Sequence, residues 1–146
     1  MTVPRGNGRL VPAGAAPERG AVAVEFALLL PILLLILFGI IDFGRAFNAQ
    51  ITLTQAAREG VRAYAITGNP SDGNARTQQA VQGTSLQGAG VGTSTTACTT
   101  GSPTTLTATT QFSYVTPVSG ILNLLGAASL TNPITLTSKA TMRCKG

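Results

Sequence analysis

Glu25 is the residue whose place in the chain first calls for a chemical reason. It is the fifth residue of an apolar run, Ala21 to Ile41, and the run's single charge. An ionisable group in hydrocarbon costs about 2.5–3.5 kcal/mol at mid-bilayer and less near an interface. Two readings of Glu25 are open at this point. Its carboxylate, about one turn from the edge of the run, reaches back to the interface, or it meets a cationic partner inside the apolar layer. Cys98 and Cys144 are the only cysteines, and in a translocated domain such a pair reads as a disulfide rather than a metal site. The chain has no histidine, so the commonest general base and metal ligand is missing. The carboxylates Asp42, Glu59 and Asp72 are scattered, and no nucleophile–base pair can be nominated. The residues therefore give no catalytic group, no metal site and no cofactor, and the reading is that the chain is not an enzyme.

The net charge of +5 raises the question of nucleic acid. The positive charges are not gathered into one patch of sequence. Arg5, Arg9 and Arg19 precede the apolar run, and Arg45, Arg58 and Arg62 are spread along the stretch behind it. Membrane orientation and a solvated helix face account for them, and nucleic acid is not expected as a partner.

These residues must be positioned by a few elements. Met1 to Arg19 reads as an unstructured basic leader, interrupted by Pro4, Gly6, Gly8, Pro12, Gly14 and Pro17. Its arginines hold it in the cytoplasm by the positive-inside rule. Residues 21–41 follow, long enough as a helix to span roughly 30 Å of hydrocarbon, so the membrane is a partner and the rest lies outside the cell. A secretory signal peptide fits less well. The apolar core is longer than usual, and the best downstream cut, near Ala49, has Phe47 where a small residue is wanted. Pro31 removes a backbone donor inside the run, which is either a tolerated bend or a needed one.

The helix should continue over 42–67. Asp42 and Arg45 are placed to pair three residues apart. Phe43, Phe47 and Ile51 extend an apolar stripe, and Leu53, Ala57, Val61 and Tyr64 follow at helical spacing. Gln55, Arg58, Glu59 and Arg62 take the other side. Gly68 suits the residue just past a helix end, with Pro70 beyond it. Such an amphipathic segment needs a covering surface, which the strands further on can provide.

Residues 68–146 read as one small α/β domain. Asp72 to Gly83 is compatible with a helix capped by Asp72 or Asn74. Gly88 to Gly92 is a loop; no apolar strand precedes it and no helix follows it, which excludes a phosphate-binding fingerprint. Alternation marks strands near 104–115 and 134–143, with Ser138 a polar break on the apolar side of the second, and a short strand near 93–99 is compatible. Ile121, Leu122, Leu124 and Leu125 form an apolar cluster within Pro117 to Asn132, either packed on the domain or touching membrane or partner. Antiparallel pairing would set Thr104 near Arg143 and bring Cys98 within reach of Cys144. The fold class is thus α+β: a long N-terminal helix against a small antiparallel sheet.

Arg19-Gly20 followed by Ala21-Val22-Ala23-Val24-Glu25-Phe26 and an apolar run resembles a class III prepilin processing site. The continuation Asp42-Phe43-Gly44-Arg45 and Ala56-Ala57-Arg58-Glu59-Gly60-Val61-Arg62-Ala63 is similar to the TadE-like pseudopilins of the tight-adherence (Tad/Flp) pilus system, as is, more loosely, Ala140-Thr141-Met142-Arg143. The resemblance implies a pilin-like fold and a minor pilin or pseudopilin serving adhesion or pilus biogenesis. It implies cleavage of leader 1–20 between Gly20 and Ala21 by a prepilin peptidase, and Glu25 and Phe26 as assembly residues. Arg58, Glu59, Gly60 and Arg62 carry the helix signature. Other pilin subunits and inner-membrane assembly proteins would be the partners, with the chain in the cytoplasmic membrane or an extracellular pilus. Phe26 stands where major Flp pilins more often have tyrosine, and the polar domain is longer than theirs, which points to a minor subunit. The competing reading is a single-pass anchor carrying a small binding domain outside the membrane.

Overall fold

The computed structural model describes residues 17–116, 120, 126 and 133–145, with only the backbone of Pro17 to Arg19. The leader before Pro17 and the Ile121 to Leu125 cluster lie outside the described residues. The chain forms two compact units, Met1–Ile36 and Leu37–Gly146. Helix α1, Pro17–Thr67, contributes to both.

In the first unit α1 is solvent-exposed from Gly20 to Leu33. A helix so apolar has no polar face to give water, and by length and composition it is a candidate membrane span. Residues 17–19, expected to belong to the unstructured leader, are helical. Pro17 begins the helix rather than interrupting it, because a first-turn residue has no intrahelical use for the N–H that proline lacks. Pro31 lies inside α1 without ending it.

In the second unit the remainder of α1 is followed by α2 (Pro70–Ala80), β1 (Gly92–Thr95), β2 (Pro103–Phe112) and β3 (Ile134–Arg143). The strands form one antiparallel sheet in the order β1-β2-β3. This is the α+β, pilin-like arrangement expected: apolar helix first, sheet packed on its second half. Gly68 ends α1 with φ +70°, its N–H bonded to the Tyr64 carbonyl at 2.8 Å, as its type predicts. Pro70 does more than stop α1, since it sits in the first turn of α2, capped by Asn69, whose side chain accepts from the Ser71 amide. The cap is therefore Asn69 rather than Asp72 or Asn74, and α2 starts two residues earlier than expected.

Period-two alternation sets the faces of the sheet. Thr104, Leu106, Ala108, Thr110 and Phe112 of β2 are buried and their neighbours are not. On α1 the buried stripe is Ala49, Leu53, Ala56, Ala57, Val61 and Tyr64. Leu53 and Leu106 are wholly buried, each contributing about 1.5–3 kcal/mol. The expectation that Phe43, Phe47 and Ile51 continue the covered stripe is corrected. They are 65%, 55% and 55% exposed, and the two rings meet each other edge to face at 4.7 Å. Small alanines let the helix approach the sheet closely, so the covered face is the one with alanines, not the one with the largest side chains.

The polar break Ser138 is buried and satisfied: its hydroxyl donates to Thr54 Oγ1 at 3.1 Å, which donates to the Gln50 carbonyl at 2.8 Å. Gln50 Nε2 donates to the Thr137 carbonyl and Tyr64 Oη to the Thr96 carbonyl. These bonds fix α1 to strand and loop where apolar contact alone would permit sliding.

Candidate functional site

The candidate processing and assembly residues lie together in the first unit. Gly20, Ala21, Glu25 and Phe26 occupy consecutive turns of α1, all exposed, Phe26 by 68%. A Cβ on Gly20 would meet no neighbouring atom within 4 Å. Ala21 and Glu25 are four residues apart, one helical turn on one face. Among the described residues Glu25 has no ion-pair partner.

A second constellation centres on Asp42. The pairing with Arg45 is present, at 3.4 Å, but it is the smaller part of the environment. The Asp42 carboxylate also accepts from the amides of Val115 and Thr116, at 3.3 and 3.4 Å, and from the Thr116 hydroxyl. Asp42 is 2% exposed. Burial pushes its carboxyl up. The Thr116 hydroxyl, the two amides and the Arg45 guanidinium outweigh that and hold it below the ordinary value. Arg45 also lies over the Phe112 ring, 5.4 Å from its centroid. β2 ends at Phe112, although alternation runs on to Tyr114, because its partner β3 begins opposite it at Ile134, straight after Pro133, and the chain beyond reaches Asp42. Sequence spacing showed the Asp42–Arg45 pair and gave no sign of the more distant partner.

The third constellation is the Arg58, Glu59, Gly60, Arg62 segment. Gly60 is buried where α1 meets α2, facing Gly73 and Thr77. Thr77 is wholly buried and its hydroxyl donates to the Gly73 carbonyl at 2.8 Å. Glu59 reaches Arg76 on α2 at 3.6 Å, while Arg58 and Arg62 face outward. The signature thus divides into a packing glycine, a cross-helix ion pair and two exposed cations.

Cys98 and Cys144 form a disulfide, Cα atoms 5.7 Å apart. The register beneath it pairs Pro103 with Arg143 and Thr104 with Met142, one residue from the pairing expected, and the bridge tolerates that difference. The Cys144 amide donates to the Ser102 carbonyl and the Lys145 amide to the Ala65 carbonyl. The C-terminal end of β3 is thereby tied to both the sheet and α1. Among the described residues no group of three or more histidine, cysteine or acidic side chains could hold a metal.

The model of the TadE-like protein family matches residues 20–62. The matched stretch holds the Gly20 to Phe26 turns, Asp42 and the Arg58 to Arg62 signature, so the resemblance read from the sequence is borne out over that segment. No curated protein and no solved structure matches the chain.

Proposed function

We propose that the chain is a minor pilin or pseudopilin of a Tad-type pilus, held in the membrane by residues 21–41 and delivered to the pilus machinery after removal of residues 1–20. The observation that carries this reading is Glu25, the one charge of the apolar run 21–41, five residues behind Gly20 in a segment matched by the TadE-like family. A plain anchor has no use for a carboxylate there, whereas a subunit that must stack in register does.

Cleavage after Gly20 would leave Ala21 with a free amine of pKa about 8, largely positive at neutral pH. The Glu25 carboxylate is one turn above it. In a bundle of such helices the amine of an incoming subunit meets Glu25 of its neighbour. The pair need not add net stability, because desolvation offsets the attraction. Its role is register, since an axial slip would strand a carboxylate in hydrocarbon at several kcal/mol. The Cys98–Cys144 bond and the sheet then belong to the part outside the membrane, where oxidising conditions keep the bond formed. Partners in this reading are a prepilin peptidase, other pilin subunits and inner-membrane assembly proteins.

N-terminal sequencing of the protein purified from its own cells tests the processing step. The mature chain should begin at Ala21, and Gly20→Trp should leave a larger, unprocessed band. A mature chain beginning at Met1 in cells with an active pilus system would favour the anchor.

A further inference from the structure

The sheet of the second unit has two edges, and they differ. β1 is four residues long, too short to template much pairing. β3 is ten residues long and pairs only with β2 among the described residues. The sidedness of its backbone follows from the bonds around it. Thr105 of β2 gives its carbonyl to the Thr96 amide, so odd-numbered residues of β2 face β1 and even-numbered ones face β3. In the observed register the even-numbered residues of β3 therefore bond β2 and the odd-numbered ones point away. The outward Thr137 carbonyl is taken by Gln50, and the outward Lys145 amide reaches the Ala65 carbonyl. Between these two ties, the N–H and C=O groups of Lys139, Thr141 and Arg143 point outward with no backbone partner among the described residues.

A groove runs beside this edge, with Arg58 and Arg62 of α1 across from residues 139–142 of β3. Arg58 and Arg62 are exposed and one turn apart; Lys139 and Arg143 are exposed on the strand. None of the four has a carboxylate partner among the described residues. The nearby Glu59 is already held by Arg76. An open strand edge flanked by four uncompensated cations favours one kind of occupant.

We propose that the β3 edge from Lys139 to Arg143 is a docking site for an extended acidic segment of a partner protein, which adds to the sheet as a fourth strand. Main-chain bonds to the three outward residues would give affinity, and Arg58 and Arg62 would select carboxylates on the added strand. A second copy of this chain does not fit. Its carboxylates, Glu18, Glu25, Asp42, Glu59 and Asp72, all lie in α1 or α2 and none lies in an extended segment. Lys139 and Arg143 moreover repel another basic edge, which keeps β3 from pairing with itself. The inference rests on the sheet edge and is independent of the pilus reading.

The test uses the full chain in neutral-lipid nanodiscs and a fluorescent peptide of alternating threonine and glutamate. The peptide should bind saturably and slow hydrogen exchange at the amides of Lys139, Thr141 and Arg143. Arg58→Ala with Arg62→Ala should weaken binding about tenfold or more. N-methylation of alternate peptide amides, which keeps every charge and needs no change to the protein, should weaken it as much. Equal binding of the N-methylated peptide would overturn the proposal, as would absence of binding. So would displacement by a single-stranded oligonucleotide that itself leaves those amides unprotected, the mark of a general polyanion surface. Amides already protected in the free chain would show the edge to be covered and would overturn it too.

Discussion

A methyl group built on Gly60 of α1 would lie 2.9 Å from the carbonyl oxygen of Gly73 on α2, and one built on Gly73 would lie 3.1 Å from that of Gly60. Each glycine is small because the other helix's backbone is there. The hydroxyl of Thr77 is closer still, 2.0 Å from the Gly60 methyl position, and is fixed by its bond to Gly73.

Gly60→Ala should therefore destabilise the protein. Alanine gains about 1 kcal/mol in helix propensity. Against that, overpacking at a backbone contact costs about 1–3 kcal/mol, and here the Thr77 bond is displaced as well. The expected net effect is a loss of about 1–2 kcal/mol, read as a lower midpoint in denaturant. Gly44→Ala is the control. A methyl there meets nothing within 4 Å, so only the propensity gain should remain.

Acid should loosen the Asp42 clasp. The folded pKa lies below the ordinary 3.8. The contribution is therefore complete above that value and is lost as pH falls from it through the lower folded value. Near neutrality the contribution is constant, so this group should give no pH dependence there. Asp42→Asn puts an amide donor among four donors and should cost roughly 1–3 kcal/mol at neutral pH. It should also flatten the acid limb of a pH–stability curve. An unchanged acid limb in the variant would assign that limb to other groups.

Loss of the disulfide should be felt more than loss of Arg143 or Lys145, which flank Cys144 in the sequence. The bond closes a loop across a sequence separation of 46 residues, worth about 4 kcal/mol in the chain-entropy model. Cys98→Ser with Cys144→Ser should lower the unfolding midpoint, with the amides at positions 102 and 144, just beyond the strand ends, losing protection before α1 does. Mass spectrometry of unreduced peptides should find the linked pair.

Much of this architecture was legible because it is periodic. Leu106, Ala108, Thr110 and Phe112 alternate with polar neighbours, and Ile134 to Arg143 does the same, so both strands and nearly their register follow from period two. Gly68 announced the end of α1 because few other residues take its φ. Three features were not legible, each for a physical reason. The covered face of α1 was misjudged at Phe43, Phe47 and Ile51, because close packing selects alanine and glycine while hydropathy favours large side chains. The partners of Asp42 beyond Arg45, Val115 and Thr116, are 73 and 74 residues away. The role of Gly60 depends on Gly73, which no local pattern links to it. Glu25 was legible as a site because a lone carboxylate in an apolar run is costly wherever the chain folds.

The assembly role rests on that carboxylate. Glu25→Ala should leave synthesis, membrane insertion and cleavage at Ala21 intact, since none of these needs the charge, and Glu25→Asp should be partly active with its shorter reach. The decisive measurement is the number of pili on cells whose only copy is Glu25→Ala, with protein level and processing confirmed by immunoblot. Piliation should be lost or greatly reduced. Normal piliation would contradict the assembly role and leave the chain a membrane anchor with a small outer domain.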